Sequence, residues 1–161
     1  MDKHSLEVLE YKKIIKELAN YASTNLGKEI IKNITPNTDL EYINKSLEEV
    51  SVSKTLLDEF GRPPFGGLRD LRKILKKANK DIVLSTDDIG KIQTSLKAFR
   101  NLKNYFNNII ETSDPEIVKN EYKIMTEQGL DLVINRNLEN DIDKTLDEFG
   151  EIKDNASSKL K

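Results

Sequence analysis

One uninterrupted helical period constrains this chain more than any other feature. Ile89, Ile92, Leu96, Phe99, Leu102, Phe106 and Ile109 recur at three- and four-residue steps. That spacing lines them along one face of a helix about six turns long. So long an apolar stripe has to be covered by other helices. Shorter runs of the same period occur on both sides. The chain is therefore expected to be all-α, a multi-helix bundle of about six or seven helices.

Local signals divide the bundle. Leu6, Leu9, Tyr11, Ile14, Ile15, Leu18 and Ala22 predict a first amphipathic helix. A second is expected over about 24–34, with Ile30, Ile31 and Ile34 inward, a cap from Ser23, Thr24 or Asn25, and a stop at Pro36. Thr38 and Glu41 have the spacing of a capping box ahead of a helix striped by Leu40, Ile43, Leu47, Val50 and Leu57. A short basic helix should run from about Asp70 to Asn79. Ser85 and Asp88 mark the start of the long one. Ser113-Asp114-Pro115-Glu116 opens another, which Gly129 should end as a left-handed residue. Leu130–Ile134 fits a strand or a helix approach equally. Leu138, Ile142, Leu146 and Phe149 restore helical period up to Gly150, and Asp154–Ser157 resembles one further cap.

Composition removes several chemistries. The 161 residues include no cysteine and one histidine, His4. Disulfides, thiolate sites, cysteine nucleophiles and any zinc site needing two imidazoles are excluded. Hydrophobic residues are 37% and charged residues 34%, so the core is thin and the surface ionic. No apolar run approaches the roughly 20 residues of a membrane span, and the first ten residues lack a secretory pattern. A cytoplasmic location, with no membrane partner, is the expectation.

Charge is balanced in total, at −2, but unevenly placed. From Arg62 to Lys80 seven basic residues face only Asp70, whereas from Glu111 to Asp154 there are 13 acids and five bases. Arg69, Arg72, Lys73, Lys76, Lys77 and Lys80 are the candidate nucleic-acid contacts, most of them on one face of the short helix. A solvated face, or pairing with the acidic segment, is the reading favoured over that contact. No aromatic platform stands beside them for single-strand stacking.

The segment Phe60-Gly61-Arg62-Pro63-Pro64-Phe65-Gly66-Gly67-Leu68-Arg69-Asp70 is the one unusual loop. Gly61 and Gly66 have the spacing of phosphate-loop glycines, but Gly67 and Leu68 stand where that loop needs Lys and Ser/Thr. The prolines also lack the N–H groups that would cradle oxygens. A nucleotide site is rejected. Pro63, Pro64, Phe65, Gly66 and Gly67 read instead as a rigid connector with Phe65 plugging a helix junction. The carboxylates Asp141, Asp143, Asp147 and Glu148 sit at solvent-type helical positions, and no serine has a histidine partner outside the N-terminal tail. No catalytic, cofactor or metal residue is assigned.

The chain resembles the N-terminal part of the bacterial MutS-II family. The resemblance is carried by Tyr21-Ala22-Ser23, Leu26-Gly27-Lys28-Glu29, Thr35-Pro36…Asp39-Leu40, Leu84-Ser85, Leu96-Lys97-Ala98-Phe99-Arg100 and Gly150–Ser157. Its most specific piece is Pro63-Pro64-Phe65-Gly66-Gly67-Leu68-Arg69-Asp70-Leu71. It implies a fold like the first half of a MutS core/lever domain, with 1–154 as a helical core and 155–161 as the start of a lever helix cut short at Lys161. It also implies a homodimeric parent carrying a lever, a clamp, an ATPase using ATP and Mg, and often a small nuclease domain. Family activities are binding of branched DNA, suppression of recombination and rescue of collided ribosomes.

No Walker A, signature loop or nuclease motif occurs in these residues. The expectation is thus a non-catalytic scaffold, with ATP and nuclease chemistry located elsewhere in the parent. Direct contact of the basic helix with DNA or ribosomal RNA is the first alternative. A plain protein-interaction bundle is the second.

Overall fold

The computed structural model describes residues 2–147 and 150–157. Among them it is all-α: α1 (Lys3–Val8), α2 (Tyr11–Tyr21), α3 (Asn25–Lys32), α4 (Leu40–Phe60), α5 (Arg72–Ala78), α6 (Thr86–Thr112), α7 (Pro115–Asn120), α8 (Lys123–Leu130) and α9 (Arg136–Thr145). One isolated antiparallel bridge joins Leu146 to Ile152.

The long period forms α6, the central helix, against which α8 and α9 pack. Its start is a full capping box: Ser85 Oγ accepts from the Asp88 amide, and the Asp88 carboxylate accepts from Ser85 N–H. The main core lies where α4, α6 and α8 meet. Leu56, Ile109 and Tyr122 are buried, with Val52, Phe60, Tyr105, Phe106, Val118 and Met125 around them. Phe60 meets Tyr122 edge-on with ring centroids 6.3 Å apart. The Tyr122 hydroxyl donates to Glu59 Oε2 at 2.6 Å.

Basic residues of α6 hold the acidic C-terminal part. Arg100 pairs with Glu139 at 2.8 Å, Lys97 with Asp143 at 2.8 Å, and Lys103 donates to the carbonyls of Leu130 and Leu132. The Glu139 side chain is 4% exposed. Arg100 thus satisfies a charge that would be costly to bury alone.

Several local expectations are corrected. The first amphipathic stretch is two helices, broken at Leu9–Glu10, where Glu10 has φ 50°. Ile31 is half-buried but Ile30 and Ile34 are exposed. The Thr38–Glu41 box does not form. Asp39 caps α4 by accepting from the amides of Glu41 and Tyr42, and Asn37 accepts from those of Thr38 and Asp39. On α4 the inward face is Val52, Leu56 and Phe60, while Leu40, Leu47, Val50 and Leu57 are exposed.

The segment after Pro115 forms two helices, and Gly129 lies inside the second with ordinary φ. It is needed there because a Cβ would sit 2.2 Å from the Phe106 ring. Leu130–Ile134 contains no strand. Helix α9 ends at Thr145, and Leu146 turns into the bridge with Ile152, while Phe149 lies outside the described residues. The expected lever start falls on 155–161, of which 158–161 lie outside them; Asn155–Ser157 are turn and bend.

Candidate functional site

The Pro-Pro-Phe-Gly-Gly loop is built as a connector between α4 and α5. Its entry is held by the Tyr105 hydroxyl, which donates to the Gly61 carbonyl at 3.0 Å. Pro63 and Phe65 line a small apolar cleft of about 180 Å³ with Leu56, Leu57, Phe106 and Met125. Phe65 therefore covers the helix junction on one side while its other side faces solvent. Gly67 is the glycine that the turn requires. Its φ is +91°, and a Cβ would come within 3.0 Å of Thr94 and 3.2 Å of that residue's carbonyl oxygen. Gly66 has ordinary φ and open space beside it. The loop then ties to α6 where the Arg69 amide donates to the buried Ser95 hydroxyl at 3.2 Å.

The basic helix does not present its charges as one field. The Arg72 guanidinium grips Asp70 at 2.6 Å and also pairs with Glu29 of α3. That grip holds the Asp70 carboxyl down at about 2, and Glu29 is lowered by the same guanidinium. Lys77 pairs with Asp88 at 2.7 Å and lowers its pKa, so the cap of α6 is also the anchor of α5. Lys73, Lys76 and Lys80 are exposed and form no ion pair among the described residues. The Arg69 side chain lines an open polar groove of about 490 Å³ with Thr86, Asp87, Gly90, Lys91 and Thr94.

A second basic locus was invisible to a linear charge window. Lys12, Lys16, Lys28 and Lys32 line one open groove of about 350 Å³ between α2 and α3, with Ile15, Ala19 and Asn20. The available signal was the two four-residue lysine spacings on consecutive helices. Among the described residues no group of His, Cys, Asp and Glu suited to a metal ion occurs, and no helix is long and apolar enough to cross a membrane.

The fold and its surfaces thus define an all-α helical module that carries exposed apolar faces and open grooves. No family model matches the chain. Over its whole length it is homologous to a region of endonuclease MutS2. It is 45% identical to endonuclease MutS2 of Halothermothrix orenii over all 161 residues, which cover 20% of that relative. It is 33% identical to the Acetivibrio thermocellus protein over 99% of the chain and 19% of the relative. Identity is 29% to the putative endonuclease MutS2 of Bacillus subtilis, over the whole chain and 20% of the relative. The chain spans about a fifth of the length of these curated relatives.

Proposed function

We propose that this region is a non-catalytic scaffold of a MutS2-type protein, seated by its apolar N-terminal faces against the remainder of a longer chain. In that role residues 1–154 form a helical core, 155–161 lead toward the lever, and the core passes the state of a distant ATPase to a clamp. The location is the cytoplasm, and the whole protein is a homodimer that uses ATP and Mg.

The observation that carries this reading is the outward side of α2 to α4. Ile14, Leu18, Ile30, Leu47 and Val50 are all exposed, Ile30 by 69% and Val50 by 65%. Large apolar side chains left in water on three successive helices mark faces that a partner can cover. Hydrogen exchange tests it, comparing these 161 residues alone with the same residues inside a full-length MutS2 protein. Protection of α2, α3 and the first half of α4 is expected in the longer protein. Equal exchange in the two, or ATP hydrolysis by the 161 residues alone, overturns the reading.

A second reading is favoured by Lys73 and Lys76 on α5, with Lys80 just after it and Arg69 just before it, all exposed and without an ion pair among the described residues. It is direct contact with DNA or ribosomal RNA. Its mark is salt-sensitive binding that falls when Lys73 and Lys76 are changed to Ala.

A further inference from the structure

We infer that the groove between α2 and α3 is a sequence-independent binding site for a nucleic-acid phosphodiester backbone, held by Lys12, Lys16, Lys28 and Lys32.

The geometry is two rows of cations facing one trough. Lys12 and Lys16 are four residues apart on α2, and Lys28 and Lys32 four apart on α3, so each pair is separated by about 6 Å along its helix. All four are exposed and line the groove, whose wall includes the buried Ala19. None has a carboxylate partner among the described residues. The nearby acids are turned elsewhere. Glu10 pairs with Lys13 and Glu29 is committed to Arg72, while Glu17 lies on the far side of α2 by helical phase. Like charges four residues apart destabilise a helix. This chain nevertheless gathers two such pairs around one groove, although its net charge is −2.

The ligand chemistry follows from the lining. Lysines are point charges for phosphate and read no base. The groove wall has no aromatic ring on which an unpaired base would stack, which favours a duplex over a single strand. A membrane surface fits less well. The exposed Ile14, Leu18 and Ile30 lie on the sides of their helices opposite the lysines, so a lipid-facing apolar side would carry the cations away from the headgroups. The site is separate from the scaffold face and from the basic helix, and it does not depend on either reading.

Fluorescence anisotropy of the 161-residue chain with labelled DNA and RNA duplexes tests it. Four phosphate contacts give log K against log salt a slope of about −3.6, or about 150-fold weaker binding from roughly 50 to 200 mM salt. Lys12→Ala/Lys16→Ala and Lys28→Ala/Lys32→Ala are each expected to bring the slope to about −1.8, about 12-fold over the same range. Lys12→Arg/Lys16→Arg should retain binding, since charge and not shape is read. Binding of either duplex with these slopes supports the site, and the tighter one names the source of the backbone. Unchanged slopes in both alanine pairs overturn it. So does a loss confined to Lys73→Ala/Lys76→Ala, or lysine-dependent binding to anionic phosphatidylserine vesicles without duplex binding.

Discussion

Residues 2–34 and the body built on α6 use the same helical period but bury it differently. In the body, Ile109 is fully buried and Leu56, Tyr122 and Leu146 nearly so. In α1 to α3 only Ala19 is buried, and Leu9, Ile14, Leu18 and Ile30 face outward. Helices α1, α2 and α3 pack on one another and hardly on the rest. Amphipathic sequence therefore identifies a face that needs a partner without identifying the partner. In the body the partner is α6; at the N-terminus the described residues supply none of comparable size.

The sharpest way to break this contrast is a pair of equivalent truncations. Ile109→Ala removes a fully buried side chain and should cost about 2–5 kcal/mol in denaturant unfolding. Ile30→Ala, at a site mostly in water, should change stability by about 0.5 kcal/mol or less. Comparable losses at both sites would show that the two regions share one core.

What the sequence revealed follows the same division. The class of fold, helix α6 and its Ser85–Asp88 cap were legible because long period and local capping chemistry are properties of the sequence itself. The inward face of α4 was not. Leu40, Leu47, Val50 and Leu57 form a good stripe, yet Leu56 and Phe60 go inward, because α8 and Tyr122 decide which side is covered. Gly129 was misread as a helix stop because its cause, the Phe106 ring, is 23 positions away in sequence. The loop at Pro63 was legible in its turn chemistry, since Gly67 takes a positive φ that favours glycine. The basic cluster was legible only as a count, since the partners of Arg72 and Lys77 come from α3 and the α6 cap.

Gly129→Ala is expected to have the next largest effect. Alanine ordinarily gains up to about 1 kcal/mol over glycine inside a helix. Here the new methyl would meet not only the Phe106 ring but its Cβ, at 2.7 Å, which cannot swing away. Overpacking of about 1–3 kcal/mol should win, read as a lowered denaturation midpoint. Gly27→Ala on α3 meets only Thr24 Oγ1 at 3.2 Å and Ala22 at 3.6 Å, and should shift stability by less than about 1 kcal/mol.

Tyr122 offers a smaller, pH-dependent test of the body alone. Its hydrogen bond to Glu59 and its burial push its pKa up to about 12. The folded state therefore holds this proton more tightly than the unfolded chain, where tyrosine titrates near 10. The resulting stabilisation is full below about 10 and is lost as pH rises toward 12. Tyr122→Phe should cost about 1 kcal/mol at neutral pH and weaken that alkaline loss, followed by circular dichroism in parallel with tyrosinate absorbance.

The smallest expected effect concerns the joint between the regions. Arg72 bridges Asp70 of the loop and Glu29 of α3, but its side chain is 58% exposed. Removing it as Arg72→Ala should leave global stability nearly unchanged, as exposed ion pairs do. Its local signature should still be clear. Amide exchange across Asn25–Lys32 should quicken while α6 stays protected. The acid limb should change as well. The pair holds Glu29 below its ordinary value and Asp70 at about 2, so its stabilisation is complete above the unfolded carboxylate range near 4. It fades as pH falls through that range toward 2. In Arg72→Ala this fading should disappear from the α3 exchange profile. Loosening of α6 and α9 in the same variant would contradict the division of the molecule, because a surface contact would then be supporting the body as well as the helices it joins.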